Sequence, residues 1–182
     1  MNMTKLMKNR KALSTVVTTL IILVVSVLLA GVVTYYAINV TSTRVQEESL
    51  SLTKLHVWCS DSGTSQAAFL IINTGGRDVV ISKITIRGQA AAWTNVYSGT
   101  TSSAVTADFS YIATTPTTVS GVSLAVNSGD ITLKSGDSMI VYISSPDSIT
   151  INDIGLTVGI TVFTSQAMYY QEANVQATST GS

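Results

Sequence analysis

Thirty-two consecutive residues, 12–43, carry no formal charge, and nothing else in the chain constrains its fold as strongly. Within the run lies TVVTTLIILVVSVLLAGVVTYYAI, residues 15–38. A helix crossing the hydrocarbon core of a bilayer needs about 20 mostly apolar residues, so this run is long enough to span. The apolar region of a secretory signal is only ~7–15 residues, which is too short to describe it. The β-branched residues Val16, Val17, Ile21, Ile22, Val24 and Val25 disfavour a helix in water. In lipid the backbone must bond to itself, and that objection falls away. Lys5, Lys8, Arg10 and Lys11 stand just ahead of the run. Basic flanks stay in the cytoplasm, so the C-terminal part is expected outside.

Composition excludes several classes of function. Charged residues make up 11% of the chain, against about 25% in an ordinary soluble domain. Ten basic and ten acidic side chains leave a formal net charge of zero, so no nucleic-acid partner is expected. One Cys excludes a disulfide framework and a multi-thiolate metal site, and one His excludes a histidine cluster. No phosphate-binding loop, dinucleotide fingerprint or nucleophile elbow is present. The carboxylates are scattered, so no acid–base pair can be argued. No catalytic residue, cofactor or metal is expected.

The junction ahead of the apolar run reads Arg10-Lys11-Ala12-Leu13-Ser14-Thr15-Val16-Val17. Basic residues stop, a small residue follows, and the apolar stretch begins at once. This resembles the class III signal peptide of archaeal type IV pilins and archaellins. The resemblance implies cleavage between Ala12 and Leu13, with Lys11, Ala12 and Leu13 as the processing site. Residues 1–12 would then be a leader, and the mature chain would start at Leu13. Cutting on the cytoplasmic side keeps the apolar segment, and it removes four positive charges that fix topology. Bacterial type IV pilins carry Glu where this chain has Val17, a departure shared by archaeal relatives. The Gly-rich opening of many archaellins is also missing, which favours a pilus over an archaellum.

Tyr35 and Tyr36 suit a membrane interface. Beyond them Ile38, Val45 and Leu52 recur every seven residues, with Leu55 three further on. This stripe predicts one helix over 13–56, about 65 Å long. The resemblance implies that this helix spans the membrane in the precursor and packs against copies of itself after cleavage. The filament core would be built from Leu13, Val16, Val17, Leu20, Ile21, Val24, Leu28 and Val32.

Residues 57–182 read as an all-β head. Phe69-Leu70-Ile71-Ile72 is a short buried strand closed by Asn73-Thr74-Gly75-Gly76. Val79–Ile86, Ser138–Ser144, the alternation Leu156/Val158/Ile160/Val162 and a last stretch from Ala167 to Gln176 supply further strands. Their spacing predicts a β-sandwich. The run FLIINTGGRDVVISKITIRG, residues 69–88, resembles a strand pair of archaeal pilin and archaellin heads, which implies an immunoglobulin-like sandwich. Residues 98–120 are rich in Ser and Thr and read as an exposed excursion or an edge hairpin. The expected fold class is therefore α+β.

Isolated candidates read as structural. His56 and Cys59 are three apart with no further ligand to complete a metal site, and Trp58 between them is expected to pack helix against sandwich. Asp130, Asp137, Asp147 and Asp153 read as solvated turn residues. Asn39-Val40-Thr41 is a glycosylation sequon. Taken with the resemblance, these readings predict a filament subunit at the cell surface. Its partners would be its own copies in a helical homopolymer, the class III signal peptidase, an assembly ATPase, a membrane platform protein and, before assembly, the membrane. The alternatives are an archaellin and a single-pass, membrane-anchored β-sandwich binding protein.

Overall fold

A computed structural model describes residues 3–45 and 47–178, with helix side chains described from Leu13 to Ser42. The chain divides into two compact units, Met1–Arg44 and Val45–Ser182. It is α+β: one long helix, then a strand-rich domain.

The helix α1 spans Met3–Val45 and runs unbroken through both the Ala12–Leu13 junction and Gly31. The side chains of Lys11 and Ala12, and all of Met1 and Asn2, lie outside the described residues. The helix stops well short of His56, which corrects the expected boundary. Glu47 and Glu48 follow its end, and negative charge is unfavourable at the negative pole of a helix.

Past these acids, Leu50–Ser60 forms strand β1. The seven-residue spacing of Val45 and Leu52 mimics a helical stripe, but the stretch alternates as a strand. Leu50 and Leu52 face the main core, and so do Leu55, Val57 and Cys59. The phase slips once, at Lys54, whose φ is 53°, and the ladder to the next strand shifts register there. One extra residue in a strand flips the side chains that follow. Here the flip keeps both halves of the strand facing the core.

The remaining strands are β2 (Ser65–Asn73), β3 (Val79–Ile86), β4 (Gln89–Ala90), β5 (Val96–Thr101), β6 (Thr118–Val119), β7 (Val122–Ser123), β8 (Ala125–Val126), β9 (Ile131–Leu133), β10 (Ser138–Ser144), β11 (Thr157–Thr164) and β12 (Met168–Thr178). Ten of the strands pair in the order β4-β3-β11-β12-β1-β2-β10-β5-β8, with β9 also on β3. β12 joins the two halves of this path. Residues 168–174 pair antiparallel with β11, and 175–178 pair parallel with 57–60 of β1. Phe69, Ile71 and Val141 from one half meet Ile84, Ile160 and Val162 from the other in a single buried cluster. The path is therefore doubled over around one core.

β2 and β10 are buried along nearly their whole length. Their outward side chains Ala68, Leu70, Ile140 and Tyr142 form a second cluster with Trp58, Phe109 and Leu124. Most of residues 102–117 is exposed as expected, but Phe109 is buried and Val105, Tyr111 and Ile112 half-buried, so the segment also lays a strap over this face. Phe109 meets Tyr142 edge to face at 5.7 Å. Tyr142 donates its hydroxyl to the Ser110 carbonyl at 3.1 Å, and burial pushes that hydroxyl up to about 12. Gln66 bonds the backbone of Ile112 in both directions, at 3.1 and 2.9 Å. Lys54 donates to the carbonyls of Thr106 and Ala107 at 2.5 and 2.6 Å. Its left-handed backbone is thus tied to the strap that covers the sheet.

The turn 73–76 performs a separate task. Asn73 accepts from the Gly75 amide at 3.0 Å and donates to the carbonyls of Arg77 and Leu133 at 2.8 and 3.1 Å. The turn so fixed grips the segment entering β1. The amides of Thr74 and Gly75 donate to the Ser49 carbonyl at 2.9 and 3.1 Å, and that of Gly76 to the Glu47 carbonyl at 3.3 Å. A Cβ on Gly75 would lie 2.6 Å from the Glu47 oxygen and 2.7 Å from the Ser49 nitrogen. Only glycine permits this approach.

Candidate functional site

The stretch Leu13–Ser42 of α1 is long and apolar enough to cross a membrane. The expected filament-core residues Leu13, Val16, Val17, Leu20, Ile21, Val24, Leu28 and Val32 are all exposed, from 45% at Val24 to 70% at Leu13. Ile22, Leu23, Val25, Val27, Leu29 and Val33 are as open. The helix is therefore apolar on every side rather than along one stripe. Such a helix belongs in lipid or inside a bundle.

Its polar atoms are prepared for that setting. Thr18 donates to the Ser14 carbonyl at 2.9 Å, Thr19 to Val16 at 2.9 Å, Ser26 to Ile22 at 2.7 Å and Thr34 to Ala30 at 2.7 Å. A hydroxyl without a partner in hydrocarbon costs several kcal/mol. Bonding back one turn removes that cost within the helix itself. Asn39 follows the same pattern, donating its amide to the Tyr35 carbonyl at 3.1 Å on an exposed surface.

The other sequence candidates are not brought together. His56 and Cys59 fall on opposite faces of β1. Cys59 is buried in the main core, and burial pushes its thiol up. His56 lies 3.0 Å from Asp108, a contact that holds the Asp108 carboxyl below its usual range. Trp58 belongs to the interior of the β domain. It stacks on His56 at 5.2 Å and meets Tyr111 edge-on at 6.5 Å, inside the second cluster. No group of three metal-capable side chains occurs among the described residues.

Asp130 and Asp147 are exposed as expected, but Asp153 is buried. Its carboxylate accepts from the Thr150 amide and hydroxyl, both at 2.8 Å, and from Arg87 at 2.6 Å. These bonds, the Thr150 amide foremost, hold its carboxyl below the usual range. A carboxyl lowered in the folded state adds stability above its unfolded pKa of about 3.9. That stability drains away as pH falls through the lower folded value. Asp153→Asn should therefore lower the thermal midpoint at neutral pH and flatten its fall below about pH 4. An acid limb identical to the wild type's would show that this cap does not stabilise the fold.

Sequence reasoning missed the second cluster and the cleft beside it. The available signal was the unbroken apolar run of β2, which offers no polar face to water.

No family model matches the chain, and no curated protein matches it. Among solved structures it is similar to a β-glucosidase from Listeria innocua, at 12% identity and a TM-score of 0.28, over 73% of this chain and 16% of that one. The same enzyme in complex with glucose gives 14% identity and a TM-score of 0.27, over 71% and 16%. The chain spans 16% of the length of these structures, and likeness this slight carries nothing about its fold or activity.

Proposed function

We propose that this chain is a structural subunit of an archaeal type IV pilus-like surface filament that serves in adhesion or surface attachment. The observation that carries the proposal is the 30-residue stretch 13–42, apolar on every side, with the Thr18, Thr19, Ser26 and Thr34 hydroxyls bonded back to its own carbonyls, directly after a basic leader. In the precursor it spans the membrane with its N-terminus in the cytoplasm. After cleavage between Ala12 and Leu13 it packs among copies of itself. A helix already in lipid gains little further apolar burial by entering a bundle, so close packing must decide assembly. Gly31 has open space around it and offers a point of close approach.

In this reading the β domain is an immunoglobulin-like head on the filament's outside. The strand path supports it: β1, β2, β10, β5 and β8 lie in one half and β3, β4, β9, β11 and β12 in the other, and two sets of strands closing on one core are what a sandwich requires. Asn39 is proposed as a glycan acceptor. The signal peptidase, the assembly ATPase and the platform protein act on the chain, which performs no reaction itself. An archaellin would share these features, and the missing Gly-rich opening favours the pilus.

The test is the N-terminal residue of protein sheared from intact cells. A start at Leu13 in a sedimentable, high-mass fraction is expected. A start at Met1 in the detergent-soluble membrane fraction would leave a single-pass anchored β domain.

A further inference from the structure

We propose that the cleft where the covering strap leaves the sheet binds a neutral sugar residue. The inference deepens the adhesion reading and rests on it only for biological purpose. The cleft holds about 300 Å³, at the low end of small-ligand sites, which suits one or two sugar rings.

Its floor is the outward face at one end of three neighbouring strands, formed by Gln66 of β2, Ser144 of β10 and Tyr97 of β5. Gln66 and Ser144 are direct cross-strand partners. Its wall is the strap from Tyr111 to Thr115. Both are fixed before any ligand arrives. The Gln66 amide ties floor to wall through its two bonds to Ile112, and Trp58 braces Tyr111 edge-on.

The chemistry of the lining selects the ligand class. None of the 11 lining residues carries a formal charge, and eight of them bear a hydroxyl. An ion finds no counter-charge there. A purely apolar ligand would strip water from those hydroxyls and return nothing. A pyranose presents hydroxyls around its rim and C–H groups on its face. Hydroxyls on the wall both donate and accept, while the tyrosine rings offer apolar faces with polar tips. Ser145, at the cleft, has a φ of 47°. A non-glycine residue held in that region is strained, and such strain collects at ligand sites. Its amide is committed to the Ser65 carbonyl at 2.8 Å, so the bond that fixes the strained backbone also closes one corner of the site.

The test uses the full-length chain in micelles of a zwitterionic detergent without a sugar headgroup. Ligand-observed saturation-transfer NMR is run with maltose, cellobiose, mannobiose and diacetylchitobiose, with glycerol and glucuronic acid as counter-probes. At least one disaccharide should saturate with a Kd of about 1 mM or tighter. Tyr111→Ala and Thr115→Lys should each weaken it about tenfold or more. Thr115 is exposed, so that variant keeps the fold even if loss of Tyr111 loosens the strap. Glucuronic acid should bind more weakly than the neutral sugars, because its carboxylate would be desolvated without a partner. No saturable disaccharide, equal binding of glycerol, or wild-type binding by Thr115→Lys would each overturn the proposal. Binding is read without assembly, so failure of the cleft and failure of the filament are separate results.

Discussion

Cells expressing Ala12→Phe should carry only uncleaved chain, and their sheared fraction should contain no filament. A peptidase that cuts beside a small side chain must reject a bulky one at that position. The consequence reaches beyond processing. A retained leader keeps Lys5, Lys8, Arg10 and Lys11 on the helix, about 18 Å of it at 1.5 Å per residue. A single Lys or Arg at the centre of a membrane helix costs ~2.5–3.5 kcal/mol on insertion scales, and bundling subunits would crowd four such charges from each chain. Cleavage at the proposed site would turn the formal charge from zero to −4, since six basic and ten acidic residues would remain. Mass spectrometry of membrane and sheared fractions measures both outcomes. Ala12→Gly should retain processing. Wild-type filament yield from Ala12→Phe would refute the processing site, while unchanged surface display without filaments is what a plain anchor predicts.

Gly75→Val should be among the most damaging single changes in the β domain. The new Cβ would enter a space bounded by two backbone atoms at 2.6 and 2.7 Å, neither of which can swing aside as a side chain does. Overpacking of this kind costs ~1–3 kcal/mol. The turn's three backbone bonds to residues 47 and 49 are lost with it, at about 1 kcal/mol each. A total of about 4–6 kcal/mol is a large part of the ~5–15 kcal/mol that holds a domain together. The thermal midpoint of the full-length chain in micelles, followed by near-ultraviolet circular dichroism, should fall by about 10–20 °C. Gly129→Ala is the control: it has open space around it and no left-handed φ, so it should move the midpoint little. A Gly75→Val chain that melts within a degree or two of wild type would show that the segment is held by something other than this turn.

Much of the fold was legible because its signals were local. The uncharged run gave the helix, and strict alternation in 157–164 and the apolar run in 138–144 gave their strands. The β1 strand was hidden twice over. Its leucines fell into step with Ile38 and Val45, and the slip at Lys54 broke the period-two pattern that would have exposed it. The strap was hidden because Phe109, Tyr111 and Ile112 sit among serines and threonines, which look solvated one residue at a time. Their burial depends on partners far away in sequence, such as Tyr142 and Gln66. No window along the chain contains both. The buried carboxylate of Asp153 has the same cause, since Arg87 lies 66 residues away.

The place where β1 sits in the sheet has a mechanical consequence. Tension arriving along the chain from the helix enters the domain at 47–49 and runs down β1. At 57–60 that strand is bonded on both sides, to β2 and to the parallel stretch of β12. A pull along its axis shears these rungs together, whereas a pull on an edge strand would peel them one by one. Resistance to force follows the unfolding rate rather than the equilibrium balance. If the chain is loaded through its helix, as in the proposed filament, the load reaches a strand seated inside the sheet rather than at its edge.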